Sequence, residues 1–145
     1  MSDKDIFQPF FAMILVTFAV WIYMYIRRTS FLIAERVDLW KVDTPAKMDV
    51  NVPVGVNLSA YALKNLFELP VIFYALCLYL YSVSAVDGIY VTAAWLFVAG
   101  RAVHALIYCS YNKVMHRFIA YFTSALILWA MVFRAVVASL GSAAT

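Results

Sequence analysis

Four strongly polar side chains, Asn65, Glu68, Arg101 and His104, lie within stretches that are otherwise apolar enough to cross a bilayer. An ionisable group in hydrocarbon is costly and by default marks a function with its partner nearby. Tyr61, Asn65 and Glu68 fall at i, i+4 and i+7, so one helix presents all three on one face. Arg101, His104 and Tyr108 fall at i, i+3 and i+7 and share a face of a second helix. A carboxylate, a guanidinium, an imidazole, an amide and a phenol turned toward one another can bind a small charged molecule. The bland alternative is a buried Glu68–Arg101 ion pair that fixes helix register and nothing more. Metal binding is not expected, because His104 has no second His or Cys ligand at suitable spacing on its face. Serine-type nucleophilic catalysis is not expected either, since no serine sits near His104 on that face.

Three further cations flank this constellation. Arg27 and Arg28 close the first apolar stretch, and Arg117 follows Tyr108 by nine residues. Each alone reads as a side chain snorkelling to the headgroups. Converging on one groove between helices, they form a polyanion-binding pocket. Arg134, toward the far end of the last stretch, reads as snorkelling or structural.

These residues must be held by membrane-spanning helices. Hydrophobic residues make up 66% of the chain and charged ones 13%, against roughly 25% charge in an ordinary soluble domain. Mean hydropathy is +0.87. Apolar stretches at about 6–28, 60–85, 89–111 and 117–140 are each long enough to cross, about 30 Å of hydrocarbon at about 1.5 Å per residue. The chain is therefore read as one integral membrane domain, all-α, a four-helix up-down bundle with short second and third connections. A long loop at about 29–57 joins the first two spans, and connections of that length are more often functional than idle. The N-terminus lacks a signal peptide's basic region and cleavage site, so the first helix is expected to be retained. The tail Gly141–Thr145 is expected to fray.

Arg27, Arg28, Arg36, Lys41, Lys47, Lys113 and Arg117 all flank the first and third connections, whereas the second carries only Asp87. Basic residues favour the cytoplasmic side, so loops 1 and 3 are expected in the cytoplasm and both termini outside, in a bacterial inner membrane. Basic residues interspersed with acids argue against nucleic acid as a partner. In this arrangement Glu68 and Arg101 each lie roughly 15 Å from the cytoplasmic surface. Matching depth predicts the Glu68–Arg101 ion pair, because either charge alone would cost several kcal/mol. Lys64 is placed to pair with Glu68 along the same helix. Pro70 frees a carbonyl about a turn earlier, to be satisfied by a neighbouring helix or by water.

Asn65-Leu66-Phe67-Glu68-Leu69-Pro70 resembles the N-x-x-E-x-P element in the second helix of the MAPEG family, the membrane-associated proteins of eicosanoid and glutathione metabolism. Arg101-Ala102-Val103-His104-Ala105-Leu106-Ile107-Tyr108 resembles that family's third helix. Arg27-Arg28 resembles the basic end of its first helix, and Arg117 falls where its microsomal glutathione transferases carry an arginine near the thiol. Each motif is short; their order and spacing over nearly the whole chain carry the resemblance. It implies a homotrimer with sites between subunits, open to the cytoplasm and the bilayer, and glutathione as co-substrate. By that resemblance Arg117 is the catalytic residue. Asn65 and Glu68 hold peptide and amino groups, Arg27 or Arg28 a carboxylate, and Tyr108 contacts the tripeptide, with Arg101 and His104 in the same binding set. The implied activity is a transferase or peroxidase acting on lipophilic electrophiles or lipid hydroperoxides.

One position departs from the family pattern. Glutathione-using members commonly carry an arginine four residues before the asparagine; here that residue is Tyr61. A phenol cannot grip a carboxylate in two-pronged fashion. The departure motivates a second reading, a non-catalytic member that binds a lipid or a membrane partner in the same groove. A third, a proton-coupled exporter using Glu68, is disfavoured by the pairing expected with Arg101.

Overall fold

The computed structural model describes residues 2–142. Six α-helices follow in chain order: α1 (Phe7–Ala34), α2 (Pro45–Asn51), α3 (Val54–Asn65), α4 (Leu69–Ser82), α5 (Gly88–Cys109) and α6 (Val114–Ser142). Short 3-10 helices precede α1 at Asp3–Ile6 and α2 at Leu39–Lys41. Among the described residues four helical segments are long and apolar enough to cross a membrane, with α3 and α4 together forming the second. The result is an all-helical four-span bundle. The expected frayed tail divides: Gly141 and Ser142 belong to α6, and residues 143–145 lie outside the described residues.

The first connection is shorter and more ordered than the sequence suggests. α1 continues six residues past Arg28, through Ala34, and α3 already begins at Val54. Between them, Thr44 caps α2, its hydroxyl oxygen accepting the Lys47 N–H at 3.3 Å, with Pro45 in the first turn. Asn51 Nδ2 donates to the Lys41 carbonyl at 2.9 Å and Lys47 Nζ to the Trp40 carbonyl at 3.0 Å, so α2 and the preceding 3-10 helix form one unit.

α1 and α4 end in the same way. At α1 the Val37 N–H reaches the Leu32 carbonyl at 3.1 Å, with Arg36 at φ 49°. At α4 the Ala85 N–H reaches the Leu80 carbonyl at 2.9 Å, with Ser84 at φ 52°. These are Schellman closures built on residues other than glycine, which satisfy the last carbonyls at some backbone cost.

Lipid tails are as apolar as leucine, so the spans associate by close packing rather than by hydrophobic burial. α5 and α6 make the most extensive contact, α3 packs on α1 and α5, and α4 on α1 and α6. Phe73 and Phe97 stack with ring centroids 4.7 Å apart at the α4–α5 contact. Gly100 lets α5 approach α6 closely: a Cβ there would stand 2.9 Å from Cβ of Ser124. The outward faces, with Phe11, Leu15, Ile26, Phe118 and Phe133 exposed, match a lipid surround.

At the end of the bundle opposite the long connection, Asp87 does two things. Its Oδ1 caps α5 by accepting the Tyr90 N–H at 2.9 Å, and its carboxylate pairs with Arg134 of α6 through both Nη1 and Nη2. The Arg134 guanidinium lies over the Tyr90 ring, 4.2 Å from its centroid. Arg134 is thus structural, as the sequence allowed. The hydrogen bonds from Arg134 pull the Asp87 carboxyl down to about 2.

Two predictions follow from these contacts. Gly100→Ala should destabilise the detergent-solubilised protein by about 1–3 kcal/mol through overpacking, while Gly55→Ala, with nothing within 4 Å of the added Cβ, should not. Because folding lowers the Asp87 pKa, its contribution is complete above about pH 4 and fades as pH falls toward 2. The gap in melting temperature between wild type and Asp87→Asn should therefore be open at pH 6 and narrow toward pH 2; a gap independent of pH would contradict this.

Candidate functional site

Pro70 lacks an N–H and disfavours helical backbone at the residue before it, so the second span cannot run through unbroken. α3 ends at Asn65, and Leu66-Phe67-Glu68 form a turn in which Glu68 leaves the helical region (φ −97°, ψ −96°). α4 then restarts with Pro70 in its first turn, where a missing N–H costs nothing. The break falls inside the span: the Asn65 carbonyl loses its usual donor four residues on and keeps only a long bond, 3.5 Å, from the Glu68 N–H.

Arg101 fills that place. Its side chain is fully buried, and Nη2 donates to the Asn65 carbonyl oxygen at 2.7 Å. A helix C-terminus carries partial negative charge, so the guanidinium is stabilised there without a carboxylate. This corrects the expected Glu68–Arg101 ion pair: among the described residues no such pair forms, and Glu68 is exposed at the turn. The Lys64–Glu68 pairing along one helix is likewise absent, because the helix ends between them. The carbonyl that Pro70 itself deprives of a donor, four residues back, is that of Leu66; the one a neighbouring helix reaches, through Arg101, is that of Asn65 at the break.

His104, one turn further along α5, is also buried. Its Nδ1 lies 3.0 Å from the Arg117 carbonyl oxygen. A carbonyl only accepts, so Nδ1 carries the proton and Nε2 is left as an acceptor. Nε2 has no protein partner, and neither do Nε and Nη1 of Arg101. Both side chains face the Tyr121 ring of α6, Arg101 at 5.0 Å and His104 at 5.5 Å from its centroid. Donors and an acceptor are therefore buried together one turn apart, an arrangement that can hold a group presenting acceptor oxygens.

Toward the long connection the next turn of α5 carries Tyr108. The Arg117 guanidinium lies over its ring, 4.0 Å from the centroid, while Nη1 donates to Asn112 Oδ1 at 2.7 Å. The His104–carbonyl bond and the Asn112 and Tyr108 contacts fix both ends of Arg117. The Tyr108 ring also packs edge-on against His104 at 5.6 Å. Arg101, His104, Tyr108 and Arg117 thus form one connected cluster.

The other predicted residues take different partners. Asn65 turns its amide back to the Tyr61 carbonyl at 2.8 Å. Arg28 donates through Nε and Nη2 to Asn57 Oδ1 at 3.2 and 3.0 Å, and Arg27 reaches the Gly55 carbonyl at 3.2 Å. The Tyr61 hydroxyl donates to Asp49 Oδ1 at 2.8 Å, and Tyr61 lies within electrostatic reach of Arg28 and near Tyr108. Arg28, Tyr61, Tyr108 and Arg117 therefore gather at one end of the bundle. Beside them α1 and α5 enclose an apolar groove of about 470 Å³ lined by Val16, Val20, Tyr23, Ala105 and Cys109 among others. Tyr23 bridges these helices by donating to the Cys109 carbonyl at 3.3 Å.

Sequence reasoning missed Asn57, Asn112, Tyr121 and Asp49. Asn57 is fully buried, and its Nδ2 donates to the Met48 carbonyl at 3.2 Å, tying α2 to α3 and Arg28. It stands four residues before Tyr61, so extending the polar stripe of the second span by one turn would have found it. Asn112 and Asp49 lie in connections, where periodicity carries no signal.

The MAPEG family model matches residues 6–137 of the chain. No curated protein and no solved structure matches it.

Arg101→Met removes both the bond to Asn65 and the two unmatched donor atoms. Losing the charge-assisted bond to the Asn65 carbonyl should cost about 1–3 kcal/mol in a thermal or denaturant titration.

Proposed function

Since this chain belongs to the MAPEG family, we propose that it is a membrane-bound, glutathione-dependent transferase or peroxidase. Its second substrate is a lipophilic electrophile or lipid hydroperoxide. The observation that carries this reading is the Arg117 guanidinium, pinned over Tyr108 and by Asn112 at the same end as the apolar α1–α5 groove. A free thiol has a pKa of about 8.5 and is only slightly ionised at neutral pH. A fixed guanidinium beside it favours the thiolate. An apolar substrate dissolved in the bilayer reaches the groove without crossing water, and proximity then accelerates attack.

In the transferase reaction the thiolate sulfur bonds to the electrophilic carbon, and the leaving group departs with its electron pair. In the peroxidase reaction sulfur attacks the terminal peroxide oxygen and the O–O bond breaks. The lipid leaves as its alcohol, and a second glutathione converts the resulting sulfenic acid to the disulfide and water. Arg101 and His104 supply buried donors and an acceptor for polar groups of the tripeptide, and Arg27 and Arg28 supply positive charge at the same end.

The end carrying the basic residues faces the cytoplasm, in keeping with their bias; in a bacterium the membrane is the inner one. A homotrimer, as in the family resemblance, would cover part of the exposed apolar surface. A second reading, non-catalytic binding of a lipid or membrane partner in the α1–α5 groove, is favoured by one observation: Tyr61, where glutathione-using relatives carry an arginine, spends its hydroxyl on Asp49.

Adding glutathione to the solubilised protein should produce the ultraviolet difference band of a thiolate. Arg117→Ala should abolish the band and lower turnover about 100- to 1,000-fold, comparable to removing one preorganised donor from a developing anion. An undiminished band in Arg117→Ala would refute the role. Thermal protection by lipid but none by glutathione would select the second reading.

A further inference from the structure

The connection between α1 and α3, together with α3 and Arg28, lines a second, open pocket of about 410 Å³, walled by Arg28, Thr44, Met48, Asp49, Tyr61 and Lys64. Its charges are of both signs. Asp43, which also lines it, is neutralised by Lys47 at 2.9 Å. Three others are not neutralised: among the described residues neither Arg28, Lys64 nor Asp49 belongs to an ion pair. Arg28 spends two N–H groups on the Asn57 amide oxygen, which is neutral, so its charge is oriented but uncancelled. Asp49 accepts a hydrogen bond from the Tyr61 phenol, again a neutral partner. A rigid aromatic side chain thus aims a carboxylate, and a buried amide aims a guanidinium, at the walls of one small cavity.

The ligand complementary to two cations and one anion is a zwitterion with a carboxylate and an ammonium close together. We propose that this pocket takes the α-amino acid end of a γ-glutamyl peptide. The ligand's ammonium rests on Asp49 and its carboxylate between Arg28 and Lys64, and Tyr61 is the positioning residue that holds Asp49. The proposal rests on the glutathione reading in that it names which end of the tripeptide enters here. It also gives Tyr61 a role in place of the arginine it stands for: the phenol orients an acid that binds the amine, rather than gripping a carboxylate itself. The ammonium is then assigned to Asp49, which lines this pocket, and not to Glu68, which does not.

The test uses the full chain in detergent micelles and isothermal titration with γ-glutamyl-α-aminobutyryl-glycine, which carries a methyl group in place of the thiol, and with its N-acetyl derivative. Wild type should bind the free-amine peptide and bind the N-acetyl form roughly 10- to 100-fold more weakly, the range for one hydrogen bond between charged groups. Asp49→Asn should weaken the free-amine peptide by a similar factor and erase the difference between the two ligands. Tyr61→Phe, which keeps the carboxylate, should weaken binding a few-fold and retain the preference. Equal binding of both peptides by wild type, binding of neither, or loss of the preference in Glu68→Gln instead of Asp49→Asn would overturn the proposal. Asp49-dependent binding of the methyl analogue without a thiolate band from glutathione would leave this pocket standing and remove the transferase reading.

Discussion

A buried guanidinium resting on the end of a broken helix organises this protein. Arg101 is wholly enclosed, and the oxygen it grips is left with one long backbone bond because the second span stops at Asn65. The two features need each other. A continuous helix would engage that oxygen with its own N–H, and at the break a carbonyl holding only the long Glu68 contact inside the membrane would be under-satisfied without Arg101. Pro70 makes continuity impossible, and Arg101 makes the interruption tolerable. The same contact ties α3 to α5, which brings the face carrying Tyr61 and Asn65 alongside the face carrying His104 and Tyr108.

The two ends of the bundle use charge in opposite ways. At one end Asp87 and Arg134 neutralise each other, Tyr90 covers the guanidinium, and the helix start is capped by the same carboxylate. This is a closed arrangement whose value is structural. At the other end Arg28 and Arg117 are each held by a neutral amide oxygen, and Arg117 also by an aromatic face. Such partners fix a cation in place without cancelling its charge, as a site for anions requires. Leaving charges uncompensated costs stability, and the closed clasp at the far end secures the α5–α6 pair independently of that cluster.

Much of the architecture was legible in the residues. Four apolar stretches of spanning length fix the number of spans, because hydropathy over about twenty residues is a property of the local chain. The polar stripes Asn65–Glu68 and Arg101–Tyr108 marked the second and third spans, and Asp87-Gly88 the turn between them. The spacing of the N-x-x-E-x-P and R-x-x-H-x-x-x-Y elements was enough to point to the family. The order within the first connection was not legible, because α2 is held by bonds such as Asn57 to the Met48 carbonyl, which link residues of no shared periodicity.

Sequence alone therefore determined that the chain crosses a membrane four times and which side chains there carry polarity. Periodicity reports which face of a helix a residue occupies, and composition reports what the helix can be immersed in. Only the tertiary structure decided what those side chains hold. Arg101 took a backbone carbonyl instead of Glu68, Tyr61 took Asp49, and His104 took the carbonyl of Arg117. Main-chain oxygens are the same at every residue, so no reading of side-chain types can tell which of them a helix break will release.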